Sequence, residues 1–321
     1  MKKVRWGVMG TADIARGQTI PGMLQADNCE LYAVAGRSAE KAEAFCREFG
    51  FKKSYGSYEE LLKDPQVEAV YIPLPNHLHC EWSIRALEAG KHVLCEKPIA
   101  VSEDEARRMF DAAEKNGVFL MEAFAYLHNP FVSAVKAELE GGTVGTLRYM
   151  ESAFVAGRRP DTDIRLRRET YGGALFDLGC YPVSMILWMT GREPEQVQGV
   201  AQFSDRHIDL FTSGLLTFKD GMMATLDCGM LIPARHDRFA VYGEKGSIIS
   251  DFAFNQPGEI TYTVQTAAGR EVKTVTARNN YTLEVEQLGR CIRNGETPHV
   301  SREFSLMNAR VMDRLLKAIE Y

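Results

Sequence analysis

Through the first 123 residues, short apolar runs alternate with longer amphipathic stretches. Val4 to Gly10, Leu31 to Ala35, Val67 to Pro73, His92 to Cys95 and Val118 to Met121 are near-continuous apolar runs of strand length, the form expected of strands buried on both faces. Between them, Ala39 to Phe49, His77 to Ala89 and Ser102 to Asn116 carry apolar residues at helical spacing, and Ser102 with Glu105 offers a capping box. Strict strand–helix alternation predicts a parallel sheet covered by helices on both faces.

Beyond residue 123 the pattern changes. Two helical stretches, Asn129 to Glu140 and Gly173 to Met189, precede alternating runs at Leu215 to Phe218, Met223 to Leu226, Phe239 to Tyr242 and Ile260 to Val264. Lys219-Asp220-Gly221, Gly243-Glu244-Lys245-Gly246 and Ala268-Gly269 supply hairpin connections. An antiparallel sheet with helices on one face is expected, closed by two helices over Leu283 to Asn294 and Glu303 to Ile319. The 321 residues exceed what one core usually holds, so two domains are expected, divided as 1–123 and 124–321.

Composition narrows the partners. The net charge of -5 gives no general attraction to nucleic acid or to a membrane surface, and no apolar run reaches the roughly 18 residues a membrane helix needs. A cytoplasmic location is the expectation. Cys29, Cys46, Cys80, Cys95, Cys180, Cys228 and Cys291 stand singly, which suggests reduced packing residues rather than a metal site or disulfide framework.

Candidate chemistry begins after the first strand. Gly10-Thr11-Ala12-Asp13-Ile14-Ala15 reads as the dinucleotide fingerprint of a Rossmann doubly wound sheet, with Ala12 where a second glycine is usual. The turn would present unpaired N–H groups and the positive end of a helix to a pyrophosphate. Ala35-Gly36-Arg37-Ser38 ends the second strand without the acidic residue that accepts a ribose 2'-hydroxyl; Arg37 and Ser38 offer a cation and a hydroxyl to a 2'-phosphate instead. NADP(H) is therefore expected in preference to NAD(H), and a methyltransferase, which would need that acidic residue, is disfavoured.

A second group, Glu96-Lys97-Pro98, follows the His92 to Cys95 strand, at the strand end where open α/β sheets bind ligands. A third, Gly172-Gly173-Ala174-Leu175-Phe176-Asp177-Leu178-Gly179-Cys180-Tyr181-Pro182, opens a long apolar helix. In a continuous helix Asp177 and Tyr181 share a face, although Pro182 can kink it there. His77 and His79 lack accompanying carboxylate or cysteine ligands, so no metal is expected.

With Pro75-Asn76-His77-Leu78-His79 and Met121-Glu122-Ala123-Phe124, these motifs resemble the glucose-fructose oxidoreductase / inositol dehydrogenase / MocA family. Tyr181 places the chain nearest the dihydrodiol dehydrogenase and NADP-dependent D-xylose dehydrogenase branch. The resemblance implies a Rossmann domain followed by an α+β domain with a large, mainly antiparallel open sheet for substrate binding and dimerisation. It implies hydride transfer between nicotinamide and a carbinol or carbonyl carbon of a sugar, polyol or dihydrodiol.

In that scheme Tyr181 is the general acid/base, and Lys97 lowers its pKa and orients the reacting oxygen. Asp177 positions substrate hydroxyls or holds Lys97. Cofactor contacts fall to Gly10, Thr11, Ala12, Asp13, Ile14, Arg37, Ser38, Leu74, Asn76, His79, Glu96, Lys97 and Arg165, although Arg165 with Arg167 and Arg168 also reads as a solvated basic run. His128-Asn129-Pro130 departs from the Arg-aromatic pair common in relatives and leaves the substrate pocket open. A homodimer is implied, with a small polyhydroxylated substrate and neither nucleic acid nor membrane as partner. A noncatalytic NADP-sensing protein on the same scaffold is the alternative.

Overall fold

A computed structural model describes residues 2–157, 160–233, 235–252 and 254–321. The chain divides into two compact units. Unit 1 comprises Met1–His128 with Asn279–Ser305, and unit 2 comprises Asn129–Arg278 with Leu306–Tyr321.

Unit 1 is built on a six-stranded parallel sheet in the order β3-β2-β1-β4-β5-β6. Its strands are β1 (Val4–Met9), β2 (Cys29–Ala35), β3 (Lys53–Tyr55), β4 (Ala69–Ile72), β5 (His92–Glu96) and β6 (Leu120–Ala123). The intervening helices are α1 (Ile20–Gln25), α2 (Ala39–Phe49), α3 (Tyr58–Lys63), α4 (His79–Glu88) and α5 (Glu103–Asn116). Ser38, Ser57 and Ser102 cap α2, α3 and α5 by accepting hydrogen bonds from Lys41, Glu60 and Glu105 N–H groups. At α5 the return arm of the capping box differs from expectation: the Glu105 carboxylate accepts from Val101 N, not Ser102 N.

Ahead of α1 the helix contains a π-turn over Ala15–Thr19. Pro21 explains it, because proline has no N–H to donate and its ring collides with a carbonyl one turn back, so a wider turn relieves both problems.

The cut expected at residues 123 and 124 leaves out a return of the chain. Helix α8 (Asn280–Asn294) rejoins unit 1, where Asn28 Nδ2 donates to Glu286 O at 2.8 Å and Thr282 Oγ1 to Gly22 O at 3.0 Å. Its apolar spacing reveals a buried face but not which sheet buries it.

Unit 2 carries an eight-stranded sheet, β14-β13-β12-β11-β7-β10-β9-β8. Its strands are β7 (Leu147–Val155), β8 (Gln196–Phe203), β9 (Asp209–Thr217), β10 (Met223–Gly229), β11 (His236–Gly243), β12 (Gly246–Ser250), β13 (Gly258–Thr266) and β14 (Gly269–Ala277). All neighbours are antiparallel except β7 with β10. Helices α6 (Pro130–Glu140) and α7 (Cys180–Thr190) belong to this unit, and α9 (Arg302–Ala318) closes the chain.

The stretch Arg168–Thr190 is long and apolar enough to cross a membrane by composition, but 89% of that window is buried inside the fold, as befits a core helix. A second π-turn, Leu175–Gly179, precedes α7 and is followed by Pro182. The kink expected at the proline is thus a widened turn rather than a break.

Candidate active site

The carboxyl edge of the parallel sheet gathers the first set of candidate residues. After β1 the chain turns at Gly10, whose φ of 123° is closed to other residues at reasonable cost. A Cβ at Gly10 would stand 3.3 Å from Leu74 Cδ2, so glycine keeps the backbone open where the strand meets the helix. The first helical hydrogen bond runs from Arg16 N to Ala12 O at 3.0 Å, leaving the N–H groups of Ala12 to Ala15 without acceptors inside the helix. Such a terminus suits a pyrophosphate, and the Ala12 methyl stands half-buried at its rim. At the end of β2, Arg37 is exposed, and no ion pair is found for it among the described residues. Ser38 Oγ is engaged as the cap of α2.

The next two strand ends are tied together. Following β4, Leu74 is buried and Asn76 opens a short 3-10 turn into α4. His79 lies buried, with Nδ1 2.8 Å from Pro98 O and Nε2 2.7 Å from Leu74 O. Burial holds its pKa down at about 4, against the two carbonyls that favour the charged ring. His79, expected at the cofactor, lies between the Leu74 loop and the Lys97-Pro98 loop, its neutral ring donating to one of these two carbonyls and facing the other. His77, two residues earlier, is exposed.

Lys97 follows β5 in a turn held on several sides. Glu96 Oε1 accepts from Tyr71 Oη at 2.5 Å, and Thr19 Oγ1, in the first π-turn, donates to Tyr71 Oη at 2.8 Å. The Lys97–Pro98 peptide is cis. Ile99 N donates to Glu122 Oε1 at 2.9 Å. Burial raises the Glu122 carboxyl to about 7, with the Ile99 N–H and the Lys97 charge acting in the other direction. Sequence reasoning quoted Glu122 in a motif without giving it a role; a lone acid inside an apolar strand was the available signal.

Unit 2 presents the second set. A Cβ on Gly172 would lie 2.3 Å from Arg165 O, and one on Gly173, at φ 116°, would lie 2.0 Å from Asp209 Oδ1. The glycine pair therefore lets the helix start press against the Arg165 turn and the Asp209 carboxyl. Asp209 Oδ2 accepts from Leu175 N at 2.7 Å and Thr212 Oγ1 at 2.8 Å, and burial raises this carboxyl to about 7. Arg165, expected at the cofactor, pairs its Nε with Asp177 Oδ2 at 2.8 Å and its Nη1 with Asp163 Oδ1 at 3.3 Å. Asp177, expected to serve substrate or Lys97, thus has one oxygen on a guanidinium of its own unit.

Tyr181 sits in an aromatic box that sequence reasoning missed. Its ring meets Phe154 edge-on at 5.1 Å and Phe254 at 5.2 Å, while those two stack on each other at 5.3 Å. The Arg235 guanidinium covers the Phe154 ring at 4.7 Å. Asn255 Nδ2 lies 3.4 Å from Tyr181 Oη. No periodic signal marks these residues, since Phe254 and Asn255 lie in a loop between β12 and β13. Among the described residues no cluster of three or more His, Cys, Asp or Glu side chains is arranged to hold a metal ion.

Comparisons with known proteins agree with this architecture. Residues 4–124 match an oxidoreductase family with an NAD-binding Rossmann fold, and residues 132–249 match the GFO/IDH/MocA C-terminal domain. The chain is 36% identical to a D-xylose 1-dehydrogenase (NADP(+)) of Haloferax volcanii, over 98% of this chain and 97% of the relative. It is 31% identical to a trans-1,2-dihydrobenzene-1,2-diol dehydrogenase of Xenopus laevis, over 98% of each. Among solved structures, a 3-ketoreductase from Actinomadura kijaniata in complex with NADP and TDP-benzene superposes with a TM-score of 0.93 at 32% identity, covering 99% of this chain and 98% of that one. Two matched domains in the expected order, on a parallel sheet followed by a mainly antiparallel one, make the chain a member of the GFO/IDH/MocA family of oxidoreductases.

Proposed function

We propose that the protein is an NADP(H)-dependent oxidoreductase acting on a carbinol or carbonyl carbon of a small polyhydroxylated molecule: a sugar, polyol or dihydrodiol. The observation that carries this reading is the fixing of the Lys97 turn at the carboxyl edge of the parallel sheet, by Tyr71 through Glu96, by His79 through Pro98 and by Glu122 through Ile99. When bound, the nicotinamide accepts or returns the hydride. Tyr181 takes the hydroxyl proton during oxidation and gives it back during reduction. Lowering a phenol by two pKa units needs about 2.7 kcal/mol. An ammonium brought to about 4 Å from a phenol supplies about 4 kcal/mol at an effective dielectric near 20, enough for that shift, and Lys97 is the cation proposed for it.

The turn Gly10-Thr11-Ala12-Asp13-Ile14 and its helix end receive the pyrophosphate, and Arg37 with Ser38 receives the 2'-phosphate; Leu74, Asn76 and Glu96 line the remaining edge. NADP in the names of the Haloferax and Actinomadura proteins supports this choice. Asp177, paired with Arg165, positions substrate hydroxyls. Tyr181→Phe is expected to cut turnover at least about 100-fold while NADPH fluorescence titrations stay near the parent. Unchanged turnover overturns the assignment.

A homodimer through the open face of the eight-stranded sheet accompanies this reading. Cross-strand register places Leu215, Thr225, Glu151, Ala240, Ile249, Thr263 and Val272 in one row across that face. Val272 is 60% exposed there. Val272→Arg should shift light-scattering mass toward the monomer if a second copy covers the row.

A further inference from the structure

We infer that Asn255 is a positioning residue for Tyr181, its side-chain amide donating to the phenol oxygen and favouring the phenolate. This rests on the assignment of Tyr181 as acid/base. The amide nitrogen lies 3.4 Å from that oxygen, and a donor on a phenolate lowers the phenol pKa.

Two local costs mark the site. Asn255 adopts φ 65°, the left-handed region, and its buried Oδ1 has no hydrogen-bond partner among the described residues. Neither feature stabilises the fold, and such costs persist where the surroundings enforce them. The surroundings do so here from three directions. Asp237 Oδ2 accepts from Phe254 N at 2.8 Å, Arg235 Nη2 donates to Phe254 O at 2.8 Å, and Asn129 Nδ2 donates to Gln256 O at 3.1 Å. Arg235 and Asp237 also form an ion pair at 2.6 Å, so the clamp is internally fixed. Asn129 is thereby explained as well: it caps α6 and anchors the Asn255 turn.

Other charges near the phenol are already matched within the unit. Asp177 on the preceding turn is paired with Arg165, and Arg235 from the start of β11 is paired with Asp237. Glu151 of β7 is paired with Arg238, and Asp227 of β10 accepts from Ser213; by strand alternation both lie on the sheet face away from α7. Asp209 is occupied at the helix start by Leu175 N and Thr212 Oγ1. Lys97 acts on the phenol in the proposed reaction. The amide is thus the neutral adjuster beside a charge supplied elsewhere.

The test compares pH profiles of kcat/KM for oxidation in the parent, Asn255→Ala, Asn255→Asp and Tyr181→Phe, using a substrate found by an NADP+ absorbance screen of aldoses, polyols and dihydrodiols. Losing a donor to a charged oxygen should move the phenol limb up by about one to two pH units in Asn255→Ala. The near-isosteric Asn255→Asp should move it at least as far, because its charge opposes the phenolate. NADPH titration and thermal melting of each variant report whether the fold is intact. A limb that stays in place in both well-folded variants, while Tyr181→Phe is inactive, overturns the role of Asn255 and leaves the reaction standing. Activity retained by Tyr181→Phe overturns the underlying assignment instead.

Discussion

Gly173→Ala offers a quantitative test of how the Tyr181 helix is seated. Its φ of 116° costs a side-chain residue about 1–3 kcal/mol in backbone strain. The new Cβ would stand 2.0 Å from Asp209 Oδ1, so the carboxyl must retreat by about 1 Å or more to reach ordinary contact distance. That retreat sacrifices a bond to Leu175 N or Thr212 Oγ1, now 2.7 and 2.8 Å long, and an unsatisfied buried group costs about 1–3 kcal/mol. The sum is about 2–6 kcal/mol. Gly269→Ala is the control: its φ is 135°, yet a Cβ there meets nothing within 4 Å, so only the strain remains. Urea titration of both variants should show Gly173→Ala less stable than Gly269→Ala by about 1–3 kcal/mol. Equal losses would show that Asp209 does not brace the helix start.

Three further outcomes follow from the same geometry. Arg37→Ala should weaken NADP+ binding by about 10- to 100-fold with little change for NAD+, measured by fluorescence titration, because charge-assisted hydrogen bonds to a 2'-phosphate disappear. Glu122→Gln should gain stability relative to the parent as pH rises: the folded carboxyl near 7 lies above its unfolded value of 4.5, so the parent loses stability between those pH values, by about 3 kcal/mol, and the amide does not. Denaturation midpoints at pH 4.5 and 7.5 check the sign. Pro182→Ala should let regular α-helical bonding return across Leu175–Gly179, shift Tyr181 and cut turnover at little change in melting temperature; parental turnover would show that Asp209 and Arg165, bonded within that turn, hold it without the proline.

The elements with a clean period were legible in the sequence. Ala39 to Phe49 forms α2 over the expected residues, because Ser38 and Gly50 bracket an unambiguous apolar stripe. Strand β3 was not legible: Lys-Ser-Tyr has no apolar run, and these residues pair only because β2 offers an open edge. Helix α3 carried an unread signal, the capping-box spacing of Ser57 and Glu60, although as at α5 the carboxylate accepts from the residue before the cap, Gly56 N, at 3.2 Å. In the site, motif residues such as Gly10, Lys97 and Tyr181 could be named because backbone-constrained or charged positions stand out in apolar surroundings. Asn255, Asp209 and Phe154 could not, since their relevance comes from strands and loops distant in sequence. For Arg165 and His79 no signal in the sequence pointed to their partners within the fold: their side chains meet Asp177 and backbone carbonyls.

The two units reach their working edges by the same local solution. In unit 1, Gly10 at φ 123° precedes a π-turn at Ala15–Thr19 and Pro21; in unit 2, Gly173 at φ 116° precedes a π-turn at Leu175–Gly179 and Pro182. A glycine-only backbone angle makes the sharp entry, and a proline in the second or third turn forces the ring between them to widen. Widening by one residue rotates everything on its amino-terminal side relative to the helix behind it, which changes the faces shown by the first turn without disturbing the packed remainder. Thr19 uses that wide turn to reach Tyr71 and, through it, Glu96 beside Lys97. In unit 2 the wide turn contains Asp177 on its Arg165 partner and delivers Tyr181 to the aromatic box immediately behind. The proline is therefore legible as a disturbance in sequence, but its consequence is a displaced register, and only the anchoring partners on each side decide which side chains that register brings forward.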